Sequence, residues 1–210
     1  MRVVMTLLLA ATLAACGSAG EGTTAESATQ APTSSTAASI ATSFDCGSAG
    51  TEVEKLVCSD AELAGLDLRL AEVYGEVREK PDADTARLTA EERGWIAGRN
   101  DCWKAGDLRQ CVLEAYQTRL VELQASHRDA PVPPTVEYRC DDTSRPVSAV
   151  FYNDIDPPSM ILTWGDDQAI LIQQPSGSGI RYARDGATYA EHQGVSDIDF
   201  YGSRLTCAAG

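Results

Sequence analysis

The spacing of apolar residues changes abruptly across a proline-rich segment, Asp129-Ala-Pro-Val-Pro-Pro134. Before this segment, over residues 44–128, apolar residues recur at the three- and four-residue intervals of packed helices. After it, over residues 135–210, apolar and polar residues alternate, as in strands of an antiparallel sheet. Consecutive prolines end helices and stiffen the chain. The sequence therefore predicts two domains, 44–128 and 135–210, joined by the linker 129–134.

The first block has the signals of a small all-α bundle. Three capping-box patterns, in which a hydroxyl residue is followed three positions later by glutamate, predict helix starts at Thr51, Ser59 and Thr89. Pro81–Asp84 interrupts the periodic pattern between two helices. A last helix is predicted by the apolar series Leu108, Val112, Ala115, Leu120 and Leu123.

The second block has the signals of eight short strands. Runs of alternating residues are found at 136–140, 148–152, 160–164, 169–172, 180–182, 187–190, 198–201 and 204–207. Turn residues rich in glycine and aspartate separate these runs. So many short strands in one block favour an antiparallel barrel or a sandwich. The predicted fold class is α+β, with the helical and β parts in separate domains.

The N-terminus resembles a bacterial lipoprotein signal peptide. Arg2 precedes an apolar run from Val3 to Leu13, which is too short to span a bilayer. The string Leu13-Ala-Ala-Cys16-Gly resembles a lipobox, in which the cysteine thiol is joined to diacylglycerol. We predict a signal peptide over 1–15, lipidation of Cys16 and a disordered tether over 16–43. The chain would then be exported and anchored to the cell membrane, facing the extracellular or periplasmic side. The alternative is an ordinary signal peptide followed by an incidental cysteine.

Six cysteines remain after Cys16, and none of them forms a Cys-x-x-Cys pair. An even number of cysteines in an exported chain indicates disulfides rather than a zinc site, so no metal is expected. Short separations favour two local pairs in the helical block, although the count alone permits others. In the β block, a third pair would join the first strand to the last. The favoured pairs are Cys46–Cys58, Cys102–Cys111 and Cys140–Cys207.

The chain is strongly acidic, with 17 basic and 31 acidic residues and a formal charge of −14. This charge argues against nucleic acid and against anionic membrane surfaces as partners. It favours a cationic partner, or serves solubility alone. The acidic excess is shared, because each of the two blocks has six more acidic than basic residues.

The sequence gives little support for an enzyme. His192 has acidic neighbours, but the Gly-x-Ser-x-Gly elbow of a serine hydrolase is absent. The carboxylate pairs Asp141-Asp142 and Asp166-Asp167 are adjacent in turns, which is a poor geometry for acid–base catalysis. With only two histidines, His127 and His192, a histidine-rich metal site is excluded. We predict a non-enzyme that needs no cofactor.

The second block resembles a known inhibitor family. Four motifs carry the resemblance: Tyr138-Arg-Cys140, Ser176-Gly-Ser-Gly-Ile-Arg-Tyr182, His192-Gln-Gly194 and Leu205-Thr-Cys207. Their order resembles that of the MliC/PliC family, bacterial inhibitors of c-type lysozyme. The resemblance implies an eight-stranded barrel and a c-type lysozyme as the partner.

The first block is similar to the LprI N-terminal domain, which is also associated with lysozyme inhibition. The similarity rests on Phe44-Asp-Cys46, Val53-Glu-Lys-Leu-Val-Cys58, Trp95-Ile-Ala-Gly-Arg-Asn-Asp-Cys102 and Cys111-Val-Leu-Glu-Ala-Tyr116-x-x-Arg119. The candidates for a surface site in this block are Trp95, Arg99, Trp103 and Arg119. The alternative explanation is that the aromatic residues pack in the core and the arginines form ion pairs. No role is assigned to them.

The MliC resemblance implies individual roles. In that family a serine of a Ser-Gly-x-x-Tyr motif and a lysine of a later Lys-Gly motif enter the lysozyme cleft and hydrogen-bond its two catalytic carboxyl groups. Ser178 and Tyr182 match the first motif, and Gly194 matches the glycine of the second. Gln193 stands where the family has lysine, so it can donate a hydrogen bond but adds no charge. A protonated His192 would supply a cation instead.

Two further residues, Ser176 and Arg181, complete the predicted lysozyme-binding set. The sequence thus predicts a membrane-anchored inhibitor that protects peptidoglycan by blocking the active-site cleft of c-type lysozyme. The alternative, which the missing lysine would permit, is a non-inhibitory lipoprotein that binds or scaffolds components of the cell envelope.

Overall fold

The computed structural model describes residues 40–127 and 129–210. The predicted signal peptide, the lipidation of Cys16 and the predicted tether up to residue 39 lie outside the described residues. The helices are α1 (Glu52–Ser59), α2 (Ala61–Glu79), α3 (Thr85–Asn100) and α4 (Leu108–Ser126), with 3₁₀ turns at Cys46–Ser48 and Asp101–Lys104. The strands are β1 (Thr135–Cys140), β2 (Val147–Tyr152), β3 (Ser159–Trp164), β4 (Asp167–Gln173), β5 (Ile180–Arg184), β6 (Ala187–His192), β7 (Val195–Phe200) and β8 (Ser203–Ala209).

One of the three predicted helix starts is confirmed and two are wrong. Thr51 is the N-cap of α1, and its capping box is complete. Ser59 ends α1 instead, because the carboxylate of Asp60 accepts the first free N–H groups of α2. Thr89 lies one turn inside α3, whose N-cap is Asp84. In both corrected cases an aspartate, rather than the predicted serine or threonine, accepts hydrogen bonds from the free N–H groups at the helix start.

The helical core is formed mainly where α2 and α4 pack together. Its buried members include Val53, Val57, Leu63, Leu70, Val73, Val77, Leu88, Val112, Tyr116, Leu120 and Leu123. Two disulfides, Cys46–Cys58 and Cys102–Cys111, tie the 3₁₀ turns to α1 and α4. These are the local pairs that short separations favour, and they hold segments too short to contribute much core of their own.

The β part is a closed barrel in which each strand pairs antiparallel with the next and β8 pairs with β1. The predicted eight-stranded antiparallel barrel is confirmed, and the sandwich alternative is excluded by this closure. Cys140 lies directly opposite Cys207 across β1 and β8, and the disulfide joins them. The barrel interior is filled by side chains that include Met160, Leu162, Leu171 and Ile198.

Because neighbouring strands are antiparallel, successive connections lie at alternate ends of the barrel. The loops 153–158 and 174–179 and the turn 193–194 share one end, which we call the Ser-Gly end. The connections 141–146, 165–166, 185–186 and 201–202 share the opposite end. The barrel therefore brings together the segments that the sequence singled out, although they are distant along the chain.

The helical part contacts the barrel through α4. The Gln124 side chain is hydrogen-bonded to Asp156, and the Glu114 side chain to Asp185. Division into separate domains at 44–128 and 135–210 stays a prediction. Within residues 40–127 and 129–210, no helix has both the length and the apolar character that crossing a bilayer requires.

Candidate functional site

The Ser-Gly loop, residues 174–179, projects between β4 and β5 at the Ser-Gly end. Ser176, Gly177 and Ser178 are exposed. The Ser176 hydroxyl donates a hydrogen bond of 2.7 Å to the Ser178 carbonyl oxygen, so it stabilises the loop from within. The Ser178 hydroxyl has no hydrogen-bond partner among the described residues. It is therefore available to a partner molecule.

Glycine is required at the end of this loop. Gly179 has a φ of +70°, and a Cβ at this position would lie 2.0 Å from the backbone oxygen of Glu191. Only a residue without a side chain allows this approach. The loop is consequently packed against β6 at a fixed position, immediately beside Ser178.

A tight turn on the neighbouring hairpin faces the same end. Gln193 and Gly194 have φ values of 54° and 83°, which are the two consecutive left-handed positions of a type I′ hairpin turn. Glu191 Oε1 accepts a hydrogen bond of 2.7 Å from the Gly194 amide and so fixes the turn. The His192 and Gln193 side chains are exposed.

The register of β5 and β6 brings the loop and the turn together. Ile180 is opposite Glu191, so Ser178, just before β5, and Gln193, just after β6, lie at the same end of these two paired strands. This is the juxtaposition that the predicted site needs: one hydroxyl and one amide at the same end of the barrel. Arg181 is exposed on β5, but the sequence has no lysine in the turn.

Tyr182 is placed in the barrel core rather than on the surface. Its side chain is 2 % exposed, and its ring packs against Phe151 and Tyr189. The hydroxyl donates a hydrogen bond of 2.9 Å to Asn153 Oδ1, and burial raises the pKa of Tyr182. Of the predicted lysozyme-binding residues, Tyr182 is thus positioned to support the Ser-Gly loop from inside.

A chain of hydroxyl groups stiffens the core behind the site. The Tyr138 and Tyr189 hydroxyl oxygens are 2.9 Å apart, and the Tyr189 and Ser196 hydroxyl oxygens are 3.0 Å apart. Burial raises the pKa of Tyr138 far above its ordinary range. Sequence reasoning missed this chain, because its members lie on three different strands and only barrel closure joins them.

Two exposed apolar residues flank the loop and the turn, and sequence reasoning did not single them out. Ile180 is 36 % exposed and Val195 is 47 % exposed, each at the first position of its strand. Apolar side chains next to exposed polar groups are common at the centre of protein interfaces. The sequence signal that could have found both residues is an apolar residue at the first position of a strand, directly after a glycine.

Comparison with known proteins finds a matching family for the barrel and another for the helical part. Residues 138–203 match the family model MliC, described as membrane-bound lysozyme-inhibitor of c-type lysozyme, and residues 45–127 match LprI, described as lysozyme inhibitor LprI. Lipoprotein LprI of Mycobacterium tuberculosis and of Mycobacterium bovis are each 38% identical to this chain over 207 residues, covering 99% of it and 98% of the relative. The chain belongs to the LprI family. Both family descriptions name lysozyme inhibitors, so membership indicates a lysozyme inhibitor lipoprotein.

The match to the MliC model within this LprI-family chain includes both the Ser-Gly loop and the turn at Gln193. No solved structure gives a significant match to the chain. Residues 40–127 and 129–210 contain no group of histidine, cysteine, aspartate and glutamate side chains that could hold a metal ion.

The helical part of this LprI-family chain uses most of its candidate site residues internally. Arg99 is buried and donates a hydrogen bond of 2.7 Å to the Tyr116 hydroxyl. Trp95 donates to a backbone carbonyl of α4, and Arg119 is buried among glutamates. Only Trp103 of the four candidates is strongly exposed, at 61 %. Packing and ion pairing therefore account for Trp95, Arg99 and Arg119.

Proposed function

We propose that this protein inhibits c-type lysozyme by inserting the Ser-Gly loop into the active-site cleft. We also propose that a lipid on Cys16 anchors it to the cell membrane, facing the extracellular or periplasmic side. The observation that carries the proposal is the approach of Gly179 to Glu191, which holds Ser178 beside the turn at Gln193. A loop fixed before binding loses little conformational freedom in the complex.

The chemistry of the loop suits the two catalytic carboxyl groups of a lysozyme. Ser178 donates a hydrogen bond from its hydroxyl group to one carboxyl group, and Gln193 donates from its side-chain amide to the other. Hydrogen bonds to ionised groups are about twice as strong as neutral ones. Ile180 and Val195 exclude water around these contacts, since both are exposed and apolar.

Charge favours the encounter. Lysozymes of the c type are basic, and this chain has a formal charge of −14. Opposite net charges accelerate association by electrostatic steering, and the acceleration falls as salt is added. The acidity is distributed over both parts of the chain, so it acts at long range rather than at one contact.

A non-inhibitory binding or scaffolding lipoprotein is the second candidate. One observation favours it: Gln193 replaces the lysine that the MliC family pattern places before Gly194, so the turn itself carries no cation. Such a protein would bind an envelope component, or lysozyme itself, without occupying the cleft.

Titration of a c-type lysozyme with the full chain separates these functions. We expect complete loss of muramidase activity at nanomolar to micromolar concentrations, with competition by a substrate oligosaccharide. Binding without inhibition would support the scaffold. Turnover of a substrate by the chain alone would contradict both.

A further inference from the structure

Helix α4 holds a loop at the Ser-Gly end of the barrel. The Gln124 side chain donates a hydrogen bond of 2.6 Å from Nε2 to the backbone oxygen of Asp156. Its Oε1 accepts a hydrogen bond of 3.3 Å from the backbone amide of the same residue. One side-chain amide thus satisfies both backbone groups of Asp156, near the middle of the loop 153–158. A paired contact of this kind fixes both the position and the orientation of the loop.

The loop 153–158 is in turn hydrogen-bonded to both strands that flank the Ser-Gly loop. The Pro158 carbonyl oxygen accepts a hydrogen bond of 2.9 Å from the Gln173 amide, at the end of β4. Asn153 Oδ1 accepts one of 2.9 Å from the Tyr182 hydroxyl, on β5. Gln173 and Tyr182 are opposite each other in the register of β4 and β5. The two strands from which the Ser-Gly loop projects are therefore both bonded to the loop that Gln124 holds.

A second contact joins α4 to the barrel, two turns after the start of the helix. Glu114 Oε1 accepts a hydrogen bond of 2.7 Å from the backbone amide of Asp185, directly after β5. The Glu114 side chain also accepts from Gln110, and the residue is only 9 % exposed. Gln124 lies ten positions after Glu114, which corresponds to about 15 Å along the helix axis. Helix α4 is thus bonded to the connection at each end of the barrel.

We infer that α4 is a brace for the inhibitory loop, and that Gln124 is a positioning residue for Ser178. The inference deepens the proposed function and rests on it, because it assigns the helical part of the chain a role in the same site. Gln124 acts through Asp156, and the loop 153–158 transmits the restraint to Gln173 and Tyr182. Without this restraint the Ser-Gly loop has more conformations to lose when it binds, and affinity falls.

The test compares two glutamines of α4 in the full chain. Gln124→Ala removes the paired contact, whereas Gln117→Ala, two turns earlier, removes a side chain with no hydrogen bond among the described residues. We expect Gln124→Ala to raise the dissociation constant for c-type lysozyme by about five- to tenfold and Gln117→Ala by less than about twofold. Equal affinity of the Gln124→Ala variant and the unaltered chain would overturn the inference.

A second readout needs no lysozyme. Amide hydrogen exchange of the free protein should become faster in Gln124→Ala both at Asp156, whose amide donates to Gln124, and at Gln173 and Gln174, whose amides donate to Pro158 and Arg181 at the base of the Ser-Gly loop. The β7–β8 strands should stay protected. Faster exchange confined to 153–158 would overturn the inference, because the restraint would then end before the Ser-Gly loop. This result is independent of the proposed function. If lysozyme is not inhibited at all, exchange at Gln173 and Gln174 still shows whether Gln124 restrains the base of the Ser-Gly loop.

Gln124→Glu provides a variant of almost unchanged shape. It keeps the acceptor for the Asp156 amide but replaces the donor by an oxygen that repels the Asp156 carbonyl. We expect an intermediate loss of affinity with an unchanged melting temperature. A double variant that combines Gln124→Ala with Asn153→Ala should bind lysozyme at most about twofold more weakly than the weaker of the two single variants. Both substitutions break the same path of contacts. Additive losses would overturn the inference that Gln124 acts through this loop.

Discussion

Gly179 lies so close to Glu191 that a Cβ at residue 179 would be 2.0 Å from the Glu191 backbone oxygen. The loop that contains Ser178 is therefore seated on β6 by contact of backbone with backbone. Gly177, two residues earlier, has open space around it and no left-handed φ. The two glycines of one loop thus have different physical roles, and only the second is required by the geometry.

The first prediction concerns these two glycines. Gly179→Ala should weaken lysozyme inhibition by more than about tenfold, because the methyl group meets backbone and a positive φ costs roughly 1–2 kcal/mol for any residue with a Cβ. Gly177→Ala should change the inhibition constant by less than about twofold. The inhibition constants of both variants check this. Equal losses would mean that the loop is not seated on β6 when it binds.

A second prediction concerns the missing cation. Gln193→Lys should tighten inhibition by about five- to tenfold, since a hydrogen bond to a charged donor is worth roughly 1 kcal/mol more than a neutral one. The exposed turn accommodates a longer side chain without repacking. Inhibition constants at low and high salt provide the check, because added salt should reduce the gain. Gln193→Met is the uncharged control, and a gain of the same size there would contradict the electrostatic explanation.

A third prediction concerns barrel closure. The disulfide Cys140–Cys207 has a sequence separation of 67 and joins the first and last strands. Replacing both cysteines by serine should lower the free energy of unfolding by about 4 kcal/mol, because a long loop regains much entropy when the link is lost. The same change at Cys102 and Cys111, separated by 9, should cost about 2.5 kcal/mol. Denaturant titration measures both, and the reverse order would contradict the entropic account.

A fourth prediction follows from an ion pair between helices. Asp60 caps α2 and lies 2.7 Å from Arg109 Nε on α4, and this hydrogen bond lowers the pKa of Asp60 below 3.8. A carboxyl group whose pKa is lowered by folding stabilises the fold above its unfolded value and loses that contribution as the pH falls through the folded value.

Asp60→Asn keeps a capping oxygen but removes the charge. The variant should therefore melt at a lower temperature than the unaltered chain near neutral pH, and the difference should shrink as the pH falls below about 3.8. Melting curves across this range provide the measurement. A difference that grows on acidification would contradict the assigned ion pair.

The sequence predicted the elements of this fold better than their closure. Alternation along each strand reports which side chains point inward, so the strand positions could be read from it. A barrel and a sandwich give the same alternation, and only the pairing of β1 with β8 distinguishes them. That pairing joins residues far apart in sequence, such as Cys140 and Cys207. The disulfide predicted between them and the resemblance to the MliC family were the two indications of closure. The predicted helix starts at Ser59 and Thr89 were wrong because nearby aspartates cap α2 and α3 more effectively.

The candidate site was predictable in its motif and not in its support. Ser178 and Gln193 could be selected through the resemblance to the MliC family, whose motifs have a serine and a lysine at these two positions. The burial of Tyr182, its bond to Asn153 and the contact of Gln124 with Asp156 depend on strand register and on the packing of α4. Neither is written in local periodicity, so the support for the loop could be found only in three dimensions.

The central claim is that Ser178 enters the lysozyme cleft, and one pair of variants tests it most directly. Ser178→Asp places a negative charge at the tip of the Ser-Gly loop, facing the catalytic carboxyl groups of the enzyme. Ser144→Asp adds the same charge in the connection 141–146, at the opposite end of the barrel. Titration of c-type lysozyme should show that Ser178→Asp abolishes inhibition, whereas Ser144→Asp inhibits like the unaltered chain. Full inhibition by Ser178→Asp would contradict the account.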